Sequence, residues 1–525
     1  MAEPRHPAEH DNGTVADHPA AKPGATVEHF DVLIVGAGLS GIGAAYHLQK
    51  RCPGLSYAIL EAREVTGGTW DLFRYPGIRS DSDMYTLGFT FRPWTEEKAI
   101  ASGATILSYL RDTSRENGID QHIRFGHRVR SAAWSSDEAR WHVEAECKDG
   151  GSAWLTCGYL LMCSGYYSYA GGHMPEFAGT EQFKGQVVHP QFWPEGLDYA
   201  GKRVVVVGSG ATAVTIVPEM AKTAAHVTML QRSPTYVVSR PSEDNVANWL
   251  RKRLPAKLAY RLARWKNVAL TIYFYRLARK QPEKIKQQIL AMAQRALGPD
   301  YDVGTHFTPS YKPWDQRLCL VPDSDLFEAI RTGKAGVATG HIETFTEAGI
   351  KLKSGAELPA DIVVMATGLK LNLLGDMTLS VDGNTLDLSK ALAYKGMMFS
   401  GVPNLASVLG YTNASWTLKA EITCEYVCRV LNHMKRRGYD AATPTHDPTV
   451  AEEPFLSLES GYVQRGLDML PKQGSKRPWK LRNNYAMDAM ALRYGRITDG
   501  TMKFTRRSPS VRAAPQKAPR VVEPV

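Results

Sequence analysis

An α/β fold with two dinucleotide-binding units is the architecture this sequence predicts, and three observations predict it. Gly36-Ala37-Gly38-Leu39-Ser40-Gly41 closes a β-branched apolar run and opens a helical pattern. Gly208-Ser209-Gly210-Ala211-Thr212-Ala213 repeats that design far down the chain. The length, 525 residues, leaves room for both units and for an extra segment.

In chain order, residues 30–35 read as a buried parallel strand. In the turn that follows, Gly36 permits the tight bend and Gly38 lets backbone approach a pyrophosphate. Gly41 lets the helix through Ala44, Ala45 and Leu48 pack on the strand, so its N-terminus can receive negative charge. A second strand, 56–60, ends at Glu61, twenty residues after Gly41, where a carboxylate can accept hydrogen bonds from a ribose diol. Gly67-Gly68-Thr69-Trp70 and Tyr75-Pro76-Gly77 then form a loop, a lid-like stretch that ends at Asp81. Asp81 also suits a helix N-cap before Met84 and Tyr85. Residues 123–130 are strand-like, 141–146 and the stretch around Trp154 alternate as antiparallel strands, and 159–165 return to the parent sheet.

Between the two turns lies Phe183-x-Gly185-x-x-x-His189-x-x-x-Trp193-Pro194. The second unit follows, with strands at 202–207 and 226–230. The latter ends in Gln231-Arg232-Ser233, with no acid. A carboxylate there would repel a 2′-phosphate, whereas Arg232 with Ser233 can bind one, so NADPH is favoured over NADH. Residues 243–299 interrupt this unit as a helical insert, with Leu250, Leu254, Leu258, Leu262 and Trp265 at roughly helical spacing. Arg317 stands between Trp314, Gln316 and an apolar run, an unusual setting for a permanent charge. A strand at 360–365 ends in Ala366-Thr367-Gly368, and an amphipathic helix runs from Trp416 through Cys424 and Cys428.

Composition narrows the function. Apolar residues at 43% and charged residues at 22% argue against global disorder. No apolar run approaches a bilayer span. Residues 1–28 lack the apolar core of a signal peptide and read as a flexible tail, as do the Arg-, Pro- and Ala-rich residues 506–525. Seven scattered cysteines without a Cys-x-x-Cys pair fit reduced thiols in a cytoplasm and exclude a thioredoxin-type centre. The net charge of +10 is local: residues 251–295 hold thirteen Lys/Arg and one acid, Glu283, so the remainder is near neutral. No nucleic-acid partner is expected. The basic insert has two readings: an apolar stripe packed over the site with a solvated basic face, or weak attachment to an anionic membrane surface.

The 183–194 motif, together with Gly67-Gly68-x-Trp70-x-x-x-x-Tyr75-Pro76-Gly77-x-x-x-Asp81, resembles the fingerprints of type I Baeyer–Villiger monooxygenases. The resemblance spans roughly 29–505. Around 75–85 and 314–322 it is similar to the actinobacterial branch that activates thioamide prodrugs such as ethionamide. It implies a two-dinucleotide-binding-domain flavoprotein: an FAD Rossmann-like domain (29–165 and 366–505) with an inserted NADPH Rossmann-like domain (166–242 and 300–365) and the helical insert. Implied for FAD are the first turn, Glu61, Gly68, Thr69, Trp70, Asp81 and a Val129 backbone contact beside the adenine. Implied for NADPH are the 208–213 turn, Arg232 and Ser233, although Gln316 stands where many relatives carry a phosphate-binding lysine. Arg317 is the implied catalytic arginine over the flavin, held by Asp81. Phe183, Gly185, His189, Trp193 and Pro194 form an implied hinge between the domains, and Trp416 is expected near the nicotinamide ribose. The implied reaction uses O2, through a C4a-peroxyflavin, to convert ketones to esters or lactones and to oxidise thioethers and thioamides. An N- or S-hydroxylating flavin monooxygenase is the alternative. No metal is expected. The expected location is the cytoplasm, with peripheral attachment at the inner face of the membrane if residues 251–295 bind it.

Overall fold

The computed structural model describes residues 27–456 and 459–507. Most of both expected tails lies outside these residues. At their inner edges the boundaries shift: Glu28 already pairs in a strand, and Arg506 donates to the carbonyls of Arg437 and Gly438.

Two sheets organise the chain. The first uses β1 (Glu28–Val35), β2 (Tyr57–Leu60), β3 (Ile123–Arg124), β4 (His127–Ser135), β5 (Arg140–Cys147) and β6 (Ser152–Met162). A crossing strand, β7 (Tyr167–Gly172), leads to the second sheet. That sheet comprises β8 (Gln186–Val188), β9 (Arg203–Val207), β10 (His226–Gln231), β11 (Ala335–Thr339) and β12 (Ile362–Met365). The return crossing, β13 (Leu369–Leu371), pairs antiparallel with β7. β14 (Thr378–Val381), β15 (Asn384–Thr385) and β16 (Leu405–Ser407) complete the first sheet.

The second sheet is all parallel, in the order β11-β10-β9-β12-β8. β9 and β12 at its centre are Val-rich apolar runs buried on both faces, as a doubly covered parallel sheet requires. The first sheet runs β15-β14-β4-β5-β6-β1-β2-β3, with β16 beside β6. The stretch around Trp154 and the returning strand, read separately from sequence, are one strand: β6 pairs antiparallel with β5 and, further on, parallel with β1.

Helix α1 (Leu39–Arg51) follows the first turn, and the short α2 (Met84–Leu87) follows the Asp81 loop. Helix α3 (Ala211–Met220) follows the second turn. The insert is α4 (Asn245–Arg251), α5 (Ala256–Lys280) and α6 (Pro282–Leu297). α5 buries Tyr260, Ala263 and Arg264, not the expected leucine stripe. Leu258, Leu262 and Trp265 are roughly half exposed, which overturns the reading in which they pack over the site. The Arg264 guanidinium instead anchors the helix. It donates to the carbonyls of Tyr85 at 2.9 Å and Gly88 at 2.7 Å, and pairs with Glu421 at 2.9 Å. Helix α7 (Trp416–Arg437), read as amphipathic, is buried all round from Thr417 to Cys428, so its charges Lys419, Glu421 and Glu425 all find partners. Helix α8 (Tyr485–Tyr494) packs beside α7.

Candidate active site

Both glycine turns adopt the strained geometry their sequences call for. Gly36 sits at φ +104° and Gly208 at φ +136°, and a Cβ there would lie 2.6 Å from the Cys163 carbonyl oxygen or 2.3 Å from that of Ala366. At Gly41 a Cβ would lie 1.9 Å from the Gly36 oxygen. Gly210 differs: a Cβ there would meet nothing within 4 Å, so the backbone faces open space where a phosphate group could approach.

A cavity of about 630 Å³ begins at the first turn. Gly36, Gly38, Ser40, Glu61, Gly68, Thr69, Trp70, Asp81, Val129 and Arg317 all line it. At its other end it reaches Ala211 and Thr212 of the second turn. The Glu61 carboxylate is buried; it accepts the Ala37 amide at 2.7 Å and the Arg63 amide at 2.9 Å. Burial pushes its carboxyl above the usual range, against the pull of those two amides.

Gly41, Ala213, Gly208, Ser209, Gly210, Arg232 and Ser233 do not line this cavity. Gly41 and Ala213 are buried packing positions. Ser209 hydrogen-bonds to Thr235 at 2.8 Å and donates to the Ser233 carbonyl at 3.4 Å, so the second turn and the end of β10 adjoin. Arg232 is exposed there. Sequence reading missed a neighbouring cation, Arg465, whose pKa is lowered by burial and then by the charge of Arg232. Two exposed guanidinium groups at this end suit a phosphate. Arg465 follows the short Gly461–Gln464 helix, far from either motif, and no spacing signal marks it.

Arg317 and Asp81, from opposite halves of the molecule, meet at 2.8 Å. The approach of the halves is built into the Tyr75-Pro76-Gly77 loop. A Cβ on Gly77 would lie 2.9 Å from the Glu219 Cβ of α3, and Arg79 pairs with Asp325 at 2.6 Å. Asp81 is not the N-cap of α2; Asp83 fills that role by accepting the Thr86 amide at 3.0 Å. Asp81 is thereby left to the arginine. Arg317 leaves a tight turn in which Trp314 takes φ +73° and Asp315 is held by Arg279 of α5 at 2.6 Å. About a third of the Arg317 side chain (36%) is accessible, and that part belongs to the cavity wall. Its pKa is raised, first by Asp81, against the effect of burial, and further by the hydroxyls of Tyr166, Tyr167 and Tyr462.

That tyrosine cluster is a second feature sequence reading missed. The Tyr166 and Tyr167 hydroxyls lie 2.7 Å apart, and burial raises the pKa of all three rings, keeping them protonated. Trp416 stacks on Tyr166 with centroids 5.1 Å apart and donates to Ser40 Oγ at 2.8 Å. It therefore stands against the first turn, in the wall of the cavity that holds Arg317.

The 183–194 motif lies away from the cavity. Phe183 is buried against Phe345, and a Cβ on Gly185 would lie 2.4 Å from both the Asp361 oxygen and the Phe183 ring. Trp193 packs on the apolar core of the second sheet, with Pro194 following it, and Gln191 donates to the Ser168 carbonyl on β7 at 2.8 Å. His189 Nδ1 accepts the Gln191 amide at 3.1 Å, while its ring crowds Gly172, where a Cβ would sit 2.0 Å from Cε1. Burial depresses the His189 pKa, against the pull of the Gly368 backbone. The motif thus braces the two crossing strands, β7 and β13. Among the described residues no group of three or more His, Cys, Asp or Glu is placed to hold a metal.

A family model described as flavin-binding monooxygenase-like matches residues 99–434, and one described as an NAD(P)-binding Rossmann-like domain matches 34–97. The chain is 56% identical to the FAD-containing monooxygenase EthA of Mycobacterium tuberculosis over 484 residues, 91% of this chain and 98% of that relative. It is 49% identical to the probable FAD-binding monooxygenase AlmA of Acinetobacter baylyi over 488 residues, 92% and 98% of the two chains. The fold is similar to that of an oxidized steroid monooxygenase bound to NADP, with a TM-score of 0.71, 21% identity, and coverage of 91% of this chain and 100% of that one.

Proposed function

The chain belongs to the flavin-binding monooxygenase-like family, and on that footing we propose that it is an NADPH- and O2-dependent Baeyer–Villiger monooxygenase. It converts ketones to esters or lactones and also oxidises thioethers and thioamides. The single observation that supports this reading is the Arg317–Asp81 pair, set in a cavity bounded by residues of both glycine turns.

The residues fit both nucleotides. Gly38 on the cavity wall and the N-terminus of α1 suit the FAD pyrophosphate, Glu61 its ribose, and Val129 its adenine end. Gly210, Arg232, Ser233 and Arg465 suit NADPH. When bound, the two cofactors supply hydride transfer and oxygen activation.

The protein's own contribution is charge and position. A guanidinium cannot serve as a base at physiological pH, so Arg317 acts as a fixed cation. It stabilises negative charge developing on a substrate carbonyl oxygen, and costs little reorganisation because Asp81 already orients it. The Tyr166 and Tyr167 rings, held protonated and hydrogen-bonded to each other, line the same cavity without adding charge to it. Phe73, Trp70, Leu320 and Trp416 supply apolar wall that excludes water and strengthens these interactions. Thr69 and Ser40 stand at the first turn, where they position the bound nucleotide.

The test is product analysis with 18O2. The FAD-loaded protein is given NADPH and, separately, phenylacetone, cyclohexanone, a thioamide and a tertiary amine. Labelled ester or lactone and a labelled thioamide S-oxide support the reading. Oxygenated amine without any ester would overturn it in favour of a hydroxylating monooxygenase.

A further inference from the structure

We propose that α5 and α8 form one face that docks on an anionic lipid surface. Most of the large apolar side chains exposed on the described chain cluster on these helices. On α5, Leu258, Leu262, Trp265, Ala269 and Tyr273 recur at helical spacing, opposite the buried Tyr260, Ala263 and Arg264. A solvated helix should be polar on that side. This one presents large apolar and aromatic side chains there.

The face continues onto a segment distant in sequence. Trp265 packs on Tyr485 of α8 with ring centroids 5.7 Å apart, and Ala486 closes an apolar groove with Trp265, Ile272 and Tyr273. Met490, one turn beyond Ala486, is 64% exposed, and Tyr494 one turn further is 75% exposed.

Charge selects the occupant. Arg264, Lys266 and Arg279 are paired with Glu421, Asp244 and Asp315. Lys257, Arg261, Arg276 and Lys280 have no carboxylate within ion-pair distance among the described residues, and they flank or extend the apolar stripe. Apolar and aromatic side chains bordered by free cations match the boundary between acyl chains and anionic headgroups. A second copy of this chain would bring the same cations face to face. Among the described residues no helix is long and apolar enough to cross a membrane, so the contact is superficial.

Docking would also touch the candidate site. Through Arg264, α5 holds the carbonyls of α2 residues, and Leu87 of α2 lines the nucleotide cavity. The face is therefore tied to a cavity wall.

The experiment is flotation of the full-length, FAD-loaded protein with phosphatidylcholine vesicles, with and without phosphatidylglycerol, at about 0.15 M and about 1 M salt. Brominated lipids report quenching of tryptophan fluorescence in the unmodified protein. Binding should require phosphatidylglycerol, fall at high salt and produce quenching. Leu262→Glu with Trp265→Glu, or Lys257→Glu with Arg261→Glu and Lys280→Glu, should each weaken binding about tenfold or more. NADPH oxidation in solution should be unchanged, and Lys390→Glu should bind normally. Absence of binding or quenching in the unmodified protein would overturn the proposal, even if the variants misfold. So would undiminished binding by both variants, or a dimer in light scattering that Leu262→Glu dissolves, which would make a second copy the occupant.

Discussion

Replacing Arg264 with methionine should loosen the insert and leave most of the molecule intact. The change strands Glu421, which is 2% exposed, and removes the donor to the Tyr85 and Gly88 carbonyls. Breaking a buried pair by deleting one partner costs roughly 3–5 kcal/mol. Glu421 keeps the Thr90 amide at 3.0 Å, the Thr90 hydroxyl at 2.7 Å, and His47 at 3.7 Å, so the lower end applies. About 3 kcal/mol corresponds to roughly 100-fold faster local opening. Amide hydrogen exchange resolved along α5 and α2 measures this directly, without assuming that so large a chain unfolds in one step. Burial raises the Glu421 pKa, but the nearby His47 ring, the Arg264 charge and Thr90 outweigh it and leave it below the usual 4.5. The linked stability is therefore present above about pH 4.5 and lost as pH falls through the lower native value. Acid should open α5 in the native chain and have much less effect in Glu421→Gln. Exchange in α5 rising less than about threefold in Arg264→Met would refute the reasoning, since it would mean that the pair does not anchor the helix.

The other expectations concern cofactor use and the crossing strands. Arg232→Ala and Arg465→Ala should each raise the KM for NADPH about tenfold, the low end for a charge-assisted contact because Arg232 is exposed, with the NADH value little changed. Equal losses for both nucleotides would remove the phosphate role. His189→Ala should slow turnover several-fold at normal FAD content, because the ring braces Gly172 where β7 pairs with β13. A variant purified without FAD would contradict that.

Local chemistry made the nucleotide turns legible in sequence. Gly36 and Gly208 each need φ above +100° and leave no room for a Cβ, and a β-branched strand precedes each. Glu61 follows from the same register. Asp81 and Arg317 were recognised through a family pattern, and their 2.8 Å contact depends on a close approach of two units that periodicity does not encode. Arg465, Tyr166, Tyr167 and Tyr462 escaped because they reach the site from separate segments and lie in no motif. Asp81 and Asp83 are both credible caps by spacing, and only the backbone decides between them. The insert misled for a different reason. Its apolar stripe was real, yet α5 buries its opposite side around Arg264, a residue that composition places on a surface.

The central claim is that a fixed cation in this cavity drives oxygen insertion, and Arg317→Ala tests it most directly. Protein reduced anaerobically by NADPH is mixed with O2 and phenylacetone in a stopped-flow instrument, and the product is measured after one turnover. The account predicts that reduction largely survives while ester yield falls by about 100-fold or more. Ester formed at the unmodified yield would contradict it.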